Sequence, residues 1–193
     1  MTDEIISFIT RFVPLTEEEI AIIHEQNLIK SFRKDAVLLS EGEYAKECYF
    51  ILQGCVRSYY LIDGEEKTTE FYTESQAITP VSYTQKEPSK YYLSCLENSI
   101  IALGSTERNN QLLEKIPKLQ SMVAQLNSDL LIQKQESFDD FKSLSPEQRY
   151  LRLLETRPDL FKRVPLYHIA TYLGITPVSL SRMRKRVSTK VKQ

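Results

Sequence analysis

The segment running from Leu166 to Lys185 constrains this chain more than any other, because its residue types are ordered as two short helices joined by a tight turn. Ile169 and Leu173, four apart, share one face of the first helix, and Ala170 is small enough to let a second helix cross closely. Gly174 supplies the positive φ that the turn needs. Thr176 fits an N-cap and Pro177 the first helical position, where a missing N–H costs nothing. In the second helix Leu180, Met183 and Val187 fall on the inner face, and Ser179, Arg182 and Arg186 on the outer one. A helix that packs on one side and is basic on the other suits the major groove of duplex DNA.

Overall charge points to no partner, since 25 basic residues stand against 26 acidic ones. Its distribution is more telling. From Glu136 onward there are 12 Lys and Arg against 6 Asp and Glu, and from Thr176 to Gln193 six basic residues and no acidic one. The basic end coincides with the helix-turn-helix. A solvated tail would account for the charge but not for the ordered packing residues upstream. The candidate DNA-contacting residues are therefore Thr176, Pro177, Val178, Ser179, Arg182, Arg184, Lys185 and Arg186. Arg182 is expected to read a base edge with Ser179 beside it. Arg184, Lys185, Arg186, Lys190 and Lys192 are expected to neutralise phosphates. The plain alternative for Arg182, Arg184 and Lys185 is an exposed charge. His168 is expected at the surface or beside a phosphate, and Tyr167 and Tyr172 in packing.

Cys48, Cys55 and Cys95 are odd in number and lack C-x-x-C spacing, which predicts buried free thiols rather than disulfides or a zinc site. The opening Asp3 and Glu4 differ from a secretory leader, and apolar runs of about four residues fall short of the ~20 that a membrane span needs. A cytoplasmic protein with no membrane partner is the expectation. No histidine lies between His24 and His168, so the intervening strands cannot supply the His and carboxylate ligands of a metal-dependent barrel enzyme. Nor is there a P-loop, a nucleophile elbow or a Gly-rich dinucleotide fingerprint. The sequence predicts no enzyme and no cofactor.

Upstream, Ile5, Ile6, Phe8, Ile9 and Phe12 form one apolar stripe, and the Thr16–Glu19 capping box starts a second helix. From Phe32 to about Ser105 short Tyr-, Phe-, Ile- and Val-rich segments alternate with turns, and Asp63-Gly64 is a two-residue hairpin signal. An antiparallel roll or barrel follows. Helical spacing returns near Asn109, with Leu112 and Ile116 in a short turn before a helix opened by Pro117. Leu119, Val123, Leu126 and Leu130 then repeat at the rhythm of a coiled-coil seam. The stripe reads as a self-associating helix, with packing onto its own β-domain as the other use. Ser145–Gln148 is a further capping box, and its helix ends before Pro158.

A β-roll, a seam helix and a C-terminal helix-turn-helix, in that order, resemble the Crp/Fnr superfamily of bacterial transcription regulators. Within the roll the likeness rests on Phe32–Leu38, Glu41-Gly42-Glu43 and Tyr49–Arg57. The resemblance implies an α+β chain: a cyclic nucleotide-binding-like roll with flanking helices (residues 1–116), a dimerisation helix and linker (117–142), and a winged helix-turn-helix (143–193). It also implies a homodimer on double-stranded DNA, with RNA polymerase and a small-molecule effector as further partners. Two departures stand out. Members that bind cyclic AMP carry a Gly-Glu pair and a later arginine, for which this chain has about Thr79-Pro80 and Lys90. A lysine offers a point charge, not a planar fork. Cyclic nucleotide is therefore disfavoured, and a pocket for another ligand is assigned to Thr79, Pro80, Val81, Ser82, Lys90 and Tyr91, against a filled roll with no ligand. Secondly, the space between Arg157 and Pro165 is short for the usual hairpin, the strands after Val187 look curtailed, and Pro177-Val178 replaces an Arg-Glu pair. No cysteine precedes Cys48, which disfavours Fe–S sensing. The competing function is a protein-interaction module with a degenerate nucleotide-binding fold and no specific DNA target.

Overall fold

The computed structural model describes the backbone of residues 2–25 and 29–190. Two helices come first, α1 (Thr2–Thr10) and α2 (Glu17–Glu25). The predicted capping box launches α2, with the Thr16 amide donating to Glu19 Oε2 at 2.7 Å and the Glu19 amide to Thr16 Oγ1 at 3.3 Å. Eight strands follow: β1 (Ile29–Phe32), β2 (Val37–Leu39), β3 (Cys48–Gln53), β4 (Val56–Ile62), β5 (Glu65–Tyr72), β6 (Ala77–Ile78), β7 (Tyr92–Cys95) and β8 (Ser99–Gly104). They form two antiparallel four-stranded sheets, ordered β1-β8-β3-β6 and β2-β7-β4-β5. This is the expected roll. Its hairpin β4–β5 turns at Asp63 (φ 52°) and Gly64 (φ 79°), which sets Ile62 opposite Glu65. Leu39, Ile51, Val56, Leu93 and Ile101 fill the interior, and the short helix α3 (Val81–Gln85) lies between β6 and β7.

Among the described residues six more helices follow: α4 (Thr106–Lys115), α5 (Leu119–Ser143), α6 (Pro146–Thr156), α7 (Leu160–Arg163), α8 (Leu166–Tyr172) and α9 (Pro177–Lys190). Leu112 belongs to the ten-residue α4, capped by Ser105 Oγ on the Arg108 amide, rather than to a turn. The long helix opens at Leu119, two residues after Pro117. At α6 both hydrogen bonds of the Ser145–Gln148 capping box are present. The wing is a correction. Among the described residues no strand follows Gly104, and the stretch from Arg157 to Pro165 winds into α7.

The three predicted parts do not own three separate cores. One core joins α1 and α2 to Ile116, Leu119 and Met122. Another takes Cys55, Phe71 and Leu96 from the roll and packs them with Leu153, Leu160, Ile169, Leu173, Leu180 and Met183. The helix-turn-helix therefore shares buried apolar surface with the outer face of the β4–β5 sheet. Such burial contributes about 25 cal/mol per Å² removed from water.

Candidate nucleic-acid interface

The turn between α8 and α9 is built by local chemistry. Leu173 ends α8, Gly174 takes φ 71°, and the amides of Gly174 and Ile175 donate back to Thr171 O and Ala170 O, each at 3.0 Å. These are the paired bonds of a Schellman stop, with glycine at the left-handed step. Thr176 Oγ1 then accepts from the Ser179 amide at 3.2 Å, so it caps α9 as its sequence position requires. Its hydroxyl also meets Ser179 Oγ at 2.9 Å.

The two faces of α9 separate as predicted. Leu180 and Met183 are buried and Val187 packs beside them. Thr176, Pro177, Ser179, Arg182, Arg184 and Lys185 are exposed, and Val178 is 60% exposed. Arg186 is exposed too, but Glu147 of α6 holds it at 3.2 Å. An exposed pair of this kind contributes ~0–1 kcal/mol, little enough for a phosphate to compete with it. Lys192 and the side chain of Lys190 lie outside the described residues.

His168 is a correction, and so is its surrounding. It is 5% exposed, lodged between α8 and the roll, with Nδ1 against Arg57 Nη1. Arginine only donates, so Nδ1 accepts and the ring proton sits on Nε2. Burial first, then the Arg57 charge, pull the His168 pKa down to about 4, with Glu66 opposing. Arg57 also reaches Glu66 at 2.6 Å and lies over the Tyr59 ring. Thr171 donates to Thr68 Oγ1 at 3.0 Å. Arg163 spans Glu74 at 2.7 Å and Glu97 at 2.5 Å, and Arg157 approaches Glu70 at 3.5 Å. Tyr172 packs on Phe71, while Tyr167 is exposed beside His168. None of these links between roll and helix-turn-helix carries a local sequence signal, because their partners are far apart along the chain.

The residues assigned to a ligand pocket are occupied by one another. Pro80 and Ser82 are buried, and Ser82 Oγ accepts from the Ala45 amide at 3.3 Å. The Val81 amide, at the start of α3, donates to the Tyr91 hydroxyl at 3.3 Å. Tyr91 in turn packs on Tyr60. Thr79, Val81 and Lys90 face outward. A cavity of about 680 Å³ opens elsewhere, between β5, α5, α6 and α8, lined by Tyr72, Phe138, Phe141, Arg149 and Tyr172 among others. None of the six assigned residues lines it.

On the long helix, Leu119 is 2% exposed and belongs to the core with α1 and α2, where Val123 and Leu126 also pack. Leu119 thus serves the chain's own core, while Val123 and Leu126 pack at its edge and, like Leu130, stay half-exposed. A different row is open. Ala124, Leu131 and Phe138 recur at seven-residue steps on a flanking face, roughly a third of a turn from that stripe, with Leu131 70% and Phe138 61% exposed.

Among the described residues no group of three or more His, Cys, Asp or Glu is placed to hold a metal ion, and no helix is long and apolar enough to cross a membrane. Residues 29–116 match the family of the cyclic nucleotide-binding domain. No curated protein sequence matches the chain. Among solved structures, the c-di-GMP responsive global regulator CLP of Xanthomonas campestris is similar at 16% identity, over 88% of this chain and 92% of that one, with a TM-score of 0.64. FixK2 of Bradyrhizobium japonicum is similar at 20% identity, over 84% of both chains, with a TM-score of 0.62. A CooA mutant from Carboxydothermus hydrogenoformans is similar at 15% identity, over 84% of this chain and 76% of that one, with a TM-score of 0.64. Residues 29–116 are thus a cyclic nucleotide-binding-type domain, carried in a chain with the fold of the Crp/Fnr-type regulators.

Proposed function

We propose that the chain is a sequence-specific, double-stranded DNA-binding transcriptional regulator that acts in the cytoplasm as a homodimer. The observation that carries this is the exposed outer face of α9, where Val178, Ser179 and Arg182 stand clear of a buried inner face on a Schellman turn. Arg182 reads a guanine edge, Val178 meets a thymine methyl, and Arg184, Lys185 and Arg186 neutralise phosphates. The second copy docks along Ala124, Leu131 and Phe138, an apolar row at the heptad spacing of a two-helix seam. Two recognition helices then meet successive major-groove faces ~34 Å apart.

The effector is not a cyclic nucleotide. In place of a guanidinium the cassette offers exposed Lys90, and the first amide of α3, which would face a phosphate, already donates to Tyr91. A buried phosphate without its donors is costly. The residues present do not fit that group. RNA polymerase and a small-molecule effector complete the partner set by resemblance alone.

The test is duplex selection followed by anisotropy titration. Arg182→Ala should cost ~1–3 kcal/mol on the selected duplex and relax one base position. Log affinity should fall with log salt at about −0.9 per phosphate contacted. A wild-type chain that selects no sequence, or binds duplex without salt dependence, would leave the protein-interaction reading in its place.

A further inference from the structure

Arg149 occupies an unusual position. It projects from the first turns of α6, and its acceptors are backbone carbonyls at the ends of two other helices. Nη1 donates to Phe141 O at 3.2 Å and to Leu144 O at 2.9 Å, in the last turn and cap of α5. Nη2 donates to Leu173 O at 2.9 Å, the cap of α8. The guanidinium lies over the Phe141 ring, 4.7 Å from its centroid. Nε is buried with no acceptor, so the group is held in place against its own desolvation. Both helix ends present orphan carbonyls and the negative pole of the helix dipole. A planar fork answers two such ends at once, and an ammonium cannot. Gly174, held at φ 71°, lies beside the joint: a Cβ there would rest in ordinary contact with the Phe141 ring at 3.5 Å and the guanidinium at 3.7 Å.

We propose that Arg149 is a positioning residue that fixes the angle between the dimer helix α5 and the recognition helix α9, and thereby the half-site spacing the protein accepts. The proposal rests on the DNA-binding, dimeric reading above. Two recognition helices must stand ~34 Å apart to meet successive major-groove faces, so a change of angle at this joint alters their separation and the spacing the dimer fits. The exposed pair Arg186–Glu147 also ties α9 to α6, but exposed pairs hold geometry weakly.

The experiment titrates the full chain by anisotropy on three kinds of probe taken from wild-type selection. These are the intact two-half-site duplex, versions with spacing changed by one or two base pairs, and a single half-site. Arg149→Met keeps the apolar stem and removes the fork. It should bind the single half-site within about twofold of wild type, lose at least tenfold on the native spacing, and show a flattened spacing optimum. Arg149→Lys should not restore the optimum. Should Arg149→Met melt at assay temperature, Phe141→Leu keeps the carbonyl bonds but removes the stacked ring, and should flatten the optimum in the same direction. An unchanged spacing optimum in a folded variant, or equal losses on half-site and full site, would overturn the positioning role. A wild-type chain that binds no duplex at all would instead sink the reading beneath it.

Discussion

Phe71 offers the sharpest test of how the two ends of the molecule are joined. It sits on strand β5, is fully buried, and packs its ring 5.2 Å from that of Tyr172 within the core shared with α8 and α9. Truncation to alanine removes that ring from between roll and helix-turn-helix. A buried Phe→Ala change costs ~3–5 kcal/mol, of which the aromatic pair accounts for about 0.5–1.5. Domains of this size are typically stable by roughly 5–15 kcal/mol, so the loss is a large share. If roll and helix-turn-helix open together, the loss falls equally on both. Two amides report it by hydrogen exchange: Leu173, bonded to Ile169 O in α8, and Cys95, bonded to Ala36 O in the roll. A loss of about 3 kcal/mol should speed both by roughly 100-fold, at ~1.4 kcal/mol per decade. Phe71→Leu, which keeps most of the apolar volume, should cost less than about 1.5 kcal/mol. Acceleration at Cys95 with Leu173 unchanged would refute the shared core.

His168 makes the junction sensitive to acid. Its folded pKa of about 4 lies below the ordinary value of 6.5. Between those values the unfolded chain binds more protons than the native one, so stability is complete above pH ~6.5 and falls as pH drops toward 4. Urea midpoints measured at pH 7 and pH 5 should differ, and His168→Gln should shrink the difference; an unaltered pH slope would free His168 from this role. On α5, Leu131→Glu with Phe138→Glu should yield monomers by sedimentation and weaken binding to a two-half-site duplex. A persisting dimer would place the seam elsewhere.

The helix-turn-helix was legible because each of its steps is a local demand: a left-handed turn at Gly174, a hydroxyl cap at Thr176, a basic outer row. The Asp63-Gly64 hairpin and both capping boxes were readable for the same reason. Periodicity alone could not assign a partner to Leu119, Val123 and Leu126, since a stripe that packs on α1 and α2 has the same spacing as one that packs on a second copy. The exposed row was masked by the polar Ser128 and Gln135 set between its apolar members. Arg57, Thr68 and His168 were harder still. They are polar residues whose burial is created by a partner about 100 residues away, and nothing in their neighbours announces it.

That long-range junction sets a schedule for synthesis. The last strand is complete at Gly104, yet the helices that cover Phe71, Cys55 and Leu96 come only with residues from Tyr150 to Met183. At ~5–20 residues per second, the roughly 70 residues that separate Gly104 from Tyr172 take some 3–14 s to emerge. Throughout that interval the nascent sheet presents a greasy face, and a ribosome stalled there would display a natural landing place for a chaperone.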